Sequence, residues 1–213
     1  MRGALVALVL LACLAAAGCG GGGSAGQASN GCETVEKPPA REAEKMVPPT
    51  TTLDSSKTYS LNVRTNCGTF VIRLDTRLAP QTTASLVKLA RTGYFDDTIF
   101  HRIVPGFVIQ GGDPTQTGTG GPGYWLLDRP PANARYTKGT VAMAKTADDP
   151  AGLAGSQFFV VTAGDAGLTP EYAIVGKVTT GMDVVERIGR LGSASGRPTQ
   201  TVVIEKITPV VHL

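Results

Sequence analysis

The sequence predicts a mainly β domain, either a closed antiparallel barrel or a sandwich, that carries two helices. Three observations lead there. Runs of strand length, rich in Val, Ile, Phe and Thr, recur from residue 59 onward and are broken by Gly and Pro turns. Only two stretches space their apolar residues as a helix would. At 213 residues and 42% hydrophobic, the chain can bury a full core in one domain. Composition also excludes several classes. Four Cys are too few for a disulfide-built miniature. A net charge of +3 with 17% charged residues is not a dense basic stripe, so no nucleic-acid partner is expected. Two His and scattered Cys offer no metal-ligand spacing, so no metal is expected.

The elements follow in order. Tyr59–Thr65 and Phe70–Leu74 flank the short turn Asn66-Cys67-Gly68 and read as a hairpin. Ala79–Arg91 is the better helix, with Leu86, Leu89 and Ala90 on one face and Gly93 as its stop. Ile99–Val104 and Phe107–Gln110 are strands separated by Pro105-Gly106, and Tyr124–Leu127 also reads as strand. Further strands are expected at Thr140–Ala144, Gln157–Thr162 and Ala173–Val178. Asp183–Ile188 is a second short helix after Gly181, and Thr201–Thr208 closes the domain as a strand.

Residues ahead of this domain read as targeting and linker. Arg2 and the apolar run Ala4–Ala17 form a secretory signal pattern, too short for the roughly 20 apolar residues of a membrane span. Ala16-Ala17-Gly18-Cys19 resembles the box of a bacterial lipoprotein signal, although Ala16 stands where Leu is usual. That resemblance implies cleavage after residue 18, lipid on Cys19, and anchoring to the outer side of the cytoplasmic membrane. An ordinary secretion signal is the alternative. Residues 19–57 are then a lipidated Gly/Pro-rich tether, flexible at Gly20–Gly26 and extended near Pro38-Pro39 and Pro48-Pro49. Cys32 and Cys67 remain in an exported chain. A disulfide between them would contribute roughly 3–4 kcal/mol in the chain-entropy model; two free thiols are the other reading.

Among the motifs, Gly118-Thr119-Gly120-Gly121-Pro122-Gly123 matches a dinucleotide fingerprint on paper. It follows Asp113-Pro114 instead of a strand and opens no helix, so a loop permitting close backbone approach is the better reading. No Ser or Cys stands beside an evident His base, and no carboxylate pair suggests acid–base chemistry. The dense block is Phe100-His101-Arg102-Ile103-Val104-Pro105-Gly106-Phe107-Val108-Ile109-Gln110-Gly111-Gly112-Asp113. It sets one Arg and one Gln among apolar residues at strand spacing. An Arg there could act as an electrophile toward a polar ligand atom, or could be satisfied by a core carboxylate.

This block closely resembles the signature of the cyclophilins, the peptidyl-prolyl cis-trans isomerases. Gly118–Tyr124, Ala142-Met143-Ala144, Gly155-Ser156-Gln157-Phe158-Phe159 and Val175-Gly176-Lys177-Val178 agree in the family's order, so the likeness covers about residues 58–213. It implies an eight-stranded antiparallel closed barrel capped by two helices, with the site on the outer face and no cofactor. Arg102 would be catalytic. Phe107, Val108, Phe159 and Leu168 would form the proline pocket, with Tyr172 on its rim. Gln110 and Gln157, with backbone around Gly118 and Ala144–Lys145, would hold the flanking peptide. Val108 stands where Met is usual, Lys145 where Asn is common, and Tyr172 where many members have His. Gly167 stands where many have Trp, which implies weak cyclosporin binding. The partners implied are proline-containing polypeptides met as they fold outside the cell membrane, by a monomer. A peptide-binding module or chaperone with weak catalysis on the same fold is the alternative.

Overall fold

The computed structural model describes residues 31–212. The signal pattern, Cys19 and the Gly run at 20–23 lie outside the described residues. Among those described, no helix is long and apolar enough to cross a membrane.

The hairpin forms from β1 (Thr58–Thr65) and β2 (Gly68–Leu74), paired so that Thr65 faces Gly68 across Asn66-Cys67. In β2, alternation sends Phe70, Ile72 and Leu74 inward and Arg73 outward. The chain continues through α1 (Pro80–Arg91), β3 (Thr98–Ile99), β4 (Arg102–Val104), β5 (Val108–Gly111), β6 (Leu126–Leu127), β7 (Thr140–Met143) and β8 (Leu153–Ala154). It ends with β9 (Phe158–Val161), β10 (Ile174–Thr180), α2 (Met182–Gly189) and β11 (Val203–His212). One sheet of nine strands has the order β3-β11-β1-β2-β10-β7-β9-β5-β4, and β6 pairs with β8 apart from it. The ladders of the main sheet are all antiparallel.

This corrects the expected eight-stranded closed barrel: among the described residues the sheet is curled, it has nine strands, and no ladder joins its two ends. The cause lies in the expected single strand Ile99–Val104. Phe100 is fully buried and gives its N–H to the Val202 carbonyl at 3.0 Å, while Ile103 gives its N–H to Gly196 at 2.8 Å. The chain therefore pairs with β11 on one side of this corner and with β5 on the other. The two edge strands are consecutive in sequence, and Phe100-His101 span the seam. The expected strand Tyr124–Leu127 also shrinks, to Leu126–Leu127, because only those two residues find partners, in β8.

Inside the curl lie Leu61, Val63, Phe70, Ile72, Ile103, Ile109, Met143, Val160 and Ile204, each at most 2% exposed. Burying side chains of this size contributes roughly 1.5–3 kcal/mol apiece. Leu86, Val87 and Leu89 of α1 and Val184, Val185 and Ile188 of α2 pack on the same core. Pro80 opens α1 where its missing N–H is harmless. The first turn takes a distant cap, since buried Asp128 accepts from the N–H and hydroxyl of Thr82, both at 2.7 Å.

Residues 31–57 carry no strand or helix, but they do not hang free as a tether would. A disulfide joins Cys32 to Cys67, and Glu33 N–H bonds the Asn66 carbonyl at 2.8 Å. Arg41 N–H donates to the Pro114 carbonyl and Met46 N–H to that of Pro122, while Gln116 donates back to Pro38. Met46 and Leu53 pack against the core. The apolar residues in this stretch give it a surface to bury, which its Pro-rich composition conceals.

Candidate active site

The sheet register assembles a groove on its outer face. Arg102 on β4 lies opposite Gln110 on β5, and Gln110 lies opposite Phe159 on β9. A line of hydrogen bonds follows. Arg102 Nη1 donates to Gln110 Oε1 at 3.4 Å, Gln110 Nε2 to Gln157 Oε1 at 3.1 Å, and Gln157 Nε2 to the Gly120 carbonyl at 2.9 Å. The Arg102 guanidinium carbon is 6.0 Å from the centre of the Phe107 ring. No carboxylate pairs with Arg102 among the described residues, so the reading of Arg102 as an internally neutralised core residue does not apply.

Beside this line is a cavity of about 230 Å³, lined by Arg102, Phe107, Val108, Gln110, Ala144, Lys145, Phe159, Leu168 and Tyr172. A second, of about 260 Å³, shares Gln110, Ala144 and Lys145 with it and adds Gly118, Gln157 and the exposed Trp125. The structure thus brings together all eleven residues of the expected protein–peptide surface, in two adjoining hollows. The expected backbone contacts are narrower than the resemblance implies. Gly118 N–H is held by Asp113 at 2.7 Å and Ala144 N–H by the Gln157 carbonyl at 2.9 Å. What those two residues can offer a peptide is their carbonyl oxygens.

Two supporting residues, Asp113 and Tyr136, were missed in sequence, and Gly112 of the motif block takes a specific role beside them. Asp113, fully buried, gathers the glycine loop. One oxygen accepts from Thr115 N–H and hydroxyl, and the other from Gly118 and Gly120 N–H at 2.7 and 3.1 Å. Burial alone would raise its carboxyl; the hydrogen bonds from Thr115, Gly120 and Gly118 outweigh that and hold it below the usual range. A side chain on Gly120 would collide with this carboxylate. Gly112, at φ 88°, has the Ser156 carbonyl 2.5 Å from where its Cβ would lie, so the turn entering the loop also requires Gly. Tyr136 is fully buried under the first cavity, edge-on to Tyr172 at 5.9 Å, and its hydroxyl donates to the Tyr172 carbonyl at 2.8 Å. Phe159 meets Tyr172 edge-on at 5.5 Å. Lys145 itself acts differently from a backbone contact. Its side chain is 1% exposed, paired with Glu171 at 2.9 Å and donating to the Thr146 and Asp149 carbonyls. It fixes the wall that separates the two cavities. His101 stands behind Arg102 with both ring nitrogens buried and without a partner among the described residues. Burial pushes its pKa down, Asp113 pulls it up, and Arg102 adds to the lowering.

Residues 60–209 match the family model described as cyclophilin type peptidyl-prolyl cis-trans isomerase/CLD. The peptidyl-prolyl cis-trans isomerase-like 1 protein of Gibberella zeae is 38% identical over 154 residues, covering 70% of this chain and 93% of that one. Its Homo sapiens namesake is 38% identical over 161 residues, covering 73% and 95%. A crystal structure of a Cryptosporidium parvum cyclophilin type isomerase, obtained in the presence of the dipeptide Ala-Pro, has a TM-score of 0.64 at 31% identity. It covers 72% of this chain and 99% of that one. With the groove, the fold and these relatives in agreement, the chain belongs to the cyclophilin-type peptidyl-prolyl cis-trans isomerases.

Proposed function

We propose that this protein accelerates X–Pro bond rotation in exported polypeptides and that Arg102 is its catalytic residue. The observation that carries the reading is the unpaired Arg102 guanidinium on the wall of an otherwise largely apolar cavity, steadied by Gln110 and Phe107. Rotation about the amide crosses a barrier of about 18–20 kcal/mol because twisting breaks resonance. At the twisted state the proline nitrogen regains a lone pair. A guanidinium placed there donates a hydrogen bond that the planar ground state accepts poorly, and an interaction specific to the transition state raises the rate. Arg remains charged and presents a rigid fork of donors. One charge-assisted bond contributes about 1.5–3 kcal/mol, or roughly 10–10²-fold. Phe107, Val108, Phe159 and Leu168 hold the proline ring by apolar burial, and the glutamines grip the chain before it, so that one side of the bond turns against the other. A solved relative studied with Ala-Pro supports a proline ligand for this cavity.

A proline-isomerisation assay on a short peptide tests this. The wild-type chain is expected to exceed the uncatalysed rate and Arg102→Ala to lose about 10–10²-fold in kcat with peptide binding retained. Equal rates in both would remove Arg102 from the mechanism. Equality of wild type with buffer would leave a peptide-binding module.

We place the enzyme outside the cytoplasmic membrane on a lipid-modified Cys19. The signal pattern of residues 1–19 and the Cys32–Cys67 disulfide support an oxidising, exported setting. Mass spectrometry of the membrane-extracted protein is expected to find acyl mass on Cys19 and none on Cys19→Ser. Unmodified Cys19 would refute the anchor.

A further inference from the structure

The ends of β1, β2, β7 and β10 surround a second hollow, of about 620 Å³, that shares no lining residue with the groove of Arg102. Five cations line it, namely Lys57, Arg73, Arg77, Arg135 and Lys177, against one carboxylate, Asp75. Asp75 Oδ1 already accepts from the N–H groups of Arg77 and Leu78. Lys57 and Arg135 have acidic neighbours at the rim, Asp54 and Asp165. Arg73, Arg77 and Lys177 form no ion pair among the described residues.

The register sharpens the anomaly. Lys177 on β10 sits directly opposite Arg73 on β2, an arrangement of like charges that weakens a sheet. Elsewhere some exposed cations are paired, as Arg64 with Glu205 at 2.8 Å and Lys138 with Glu186 at 2.8 Å, and others such as Arg91 and Arg190 stand singly; here three cations without an ion pair among the described residues share one concave surface. A concave surface with uncompensated charge focuses its field on whatever enters. Its charged groups are almost all donors, since guanidinium and ammonium accept no hydrogen bond, and the lining also holds four hydroxyl residues, Ser55, Thr58, Thr76 and Thr140. Such a set matches an anion with several acceptor oxygens, and Arg forks fit phosphate geometry.

We infer that this hollow binds a phosphate-bearing anion, either a soluble phosphate ester or a phospholipid headgroup. The inference is independent of the isomerase mechanism, because neither Arg73 nor Lys177 touches the groove.

The full chain is titrated with inorganic pyrophosphate by calorimetry at matched ionic strength. Its cosedimentation is then measured with phosphatidylcholine vesicles with and without phosphatidylglycerol. Wild type and the control Arg91→Gln/Arg190→Gln, which removes two exposed charges elsewhere, are expected to bind pyrophosphate alike. Arg73→Gln/Lys177→Gln is expected to raise Kd about tenfold or more with isomerase activity unchanged. If that pair disturbs folding, Arg77→Gln on the adjoining turn carries the same expectation. A preference for phosphatidylglycerol that is lost only in the hollow variants assigns the headgroup. Saturable pyrophosphate binding without that preference assigns the soluble ester. The inference is overturned if the control weakens binding as much as the hollow variants do, or if wild type shows neither saturable pyrophosphate binding nor a preference for the anionic vesicles.

Discussion

Asp113 holds two loop N–H groups, those of Gly118 and Gly120, on one buried oxygen. Asp113→Ala takes the shared charged acceptor from both part-buried N–H groups, which water replaces only in part. Denaturant unfolding is expected to show a loss of roughly 2–4 kcal/mol, and peptide KM is expected to rise more than kcat falls. An unchanged KM would mean that the loop does not shape the groove. His101 supplies a pH dependence. Its folded pKa lies below the ordinary 6.5, so the unfolded chain takes up a proton first. The neutral ring's contribution is complete above about pH 6.5 and is lost as the pH falls toward the depressed folded value. The melting temperature of wild type is expected to drop between about pH 7.5 and 5.5, and His101→Gln to drop less; equal drops would refute this. At this scale Arg102, Phe107 and Gln110 were legible because one short contiguous block carries them. Tyr136 was not, since its hydrogen-bond partner Tyr172 is 36 residues away, and a tyrosine outside a motif carries no sign of what it supports. Lys145 was legible as a position but not as a buried strut, because Glu171 becomes its neighbour only when the sheet closes around both.

Among the elements, strands and helices long enough to show a period were readable, and those that were not lack one. Two-residue strands such as Leu153–Ala154 exist only through their partners. The corner at Phe100-His101 lies inside the strand-like run Ile99–Val104 and carries no Gly or Pro, so nothing local marks it. The strap of residues 31–57 is the larger gap, because Gly and Pro suggest freedom while Met46, Leu53 and three backbone hydrogen bonds bind it to the domain. It runs along the outside of the glycine loop, touching Pro114, Gln116 and Pro122. Opening the disulfide releases one end of that strap. Cys32→Ser/Cys67→Ser is expected to lose roughly 3–4 kcal/mol and to show faster amide exchange at residues 114–123 by hydrogen-exchange mass spectrometry. Unaltered exchange there would separate the strap from the groove.

For the molecule as a whole, the mainly β character and the position of the groove were legible, whereas the strand count and the unlatched seam depended on hydrogen bonds that no sequence pattern encodes. One feature of the sheet reaches beyond the finished structure. β1 and β11 are its first and last strands, and their register runs from Thr58 against His212 to Thr65 against Ile204. The ends of that ladder are about 150 residues apart in the chain, so its loop-closure entropy must be met before the contact gives anything back. Such topologies sit at the slow end of two-state folding. A chain made N-terminus first holds its central hairpin without its closing partner until Val203–His212 emerges. A peptidyl-prolyl isomerase thus has a birth that cannot be completed piecemeal. Until β11 emerges, β1 has an unpaired edge that any chaperone near the growing chain would meet first.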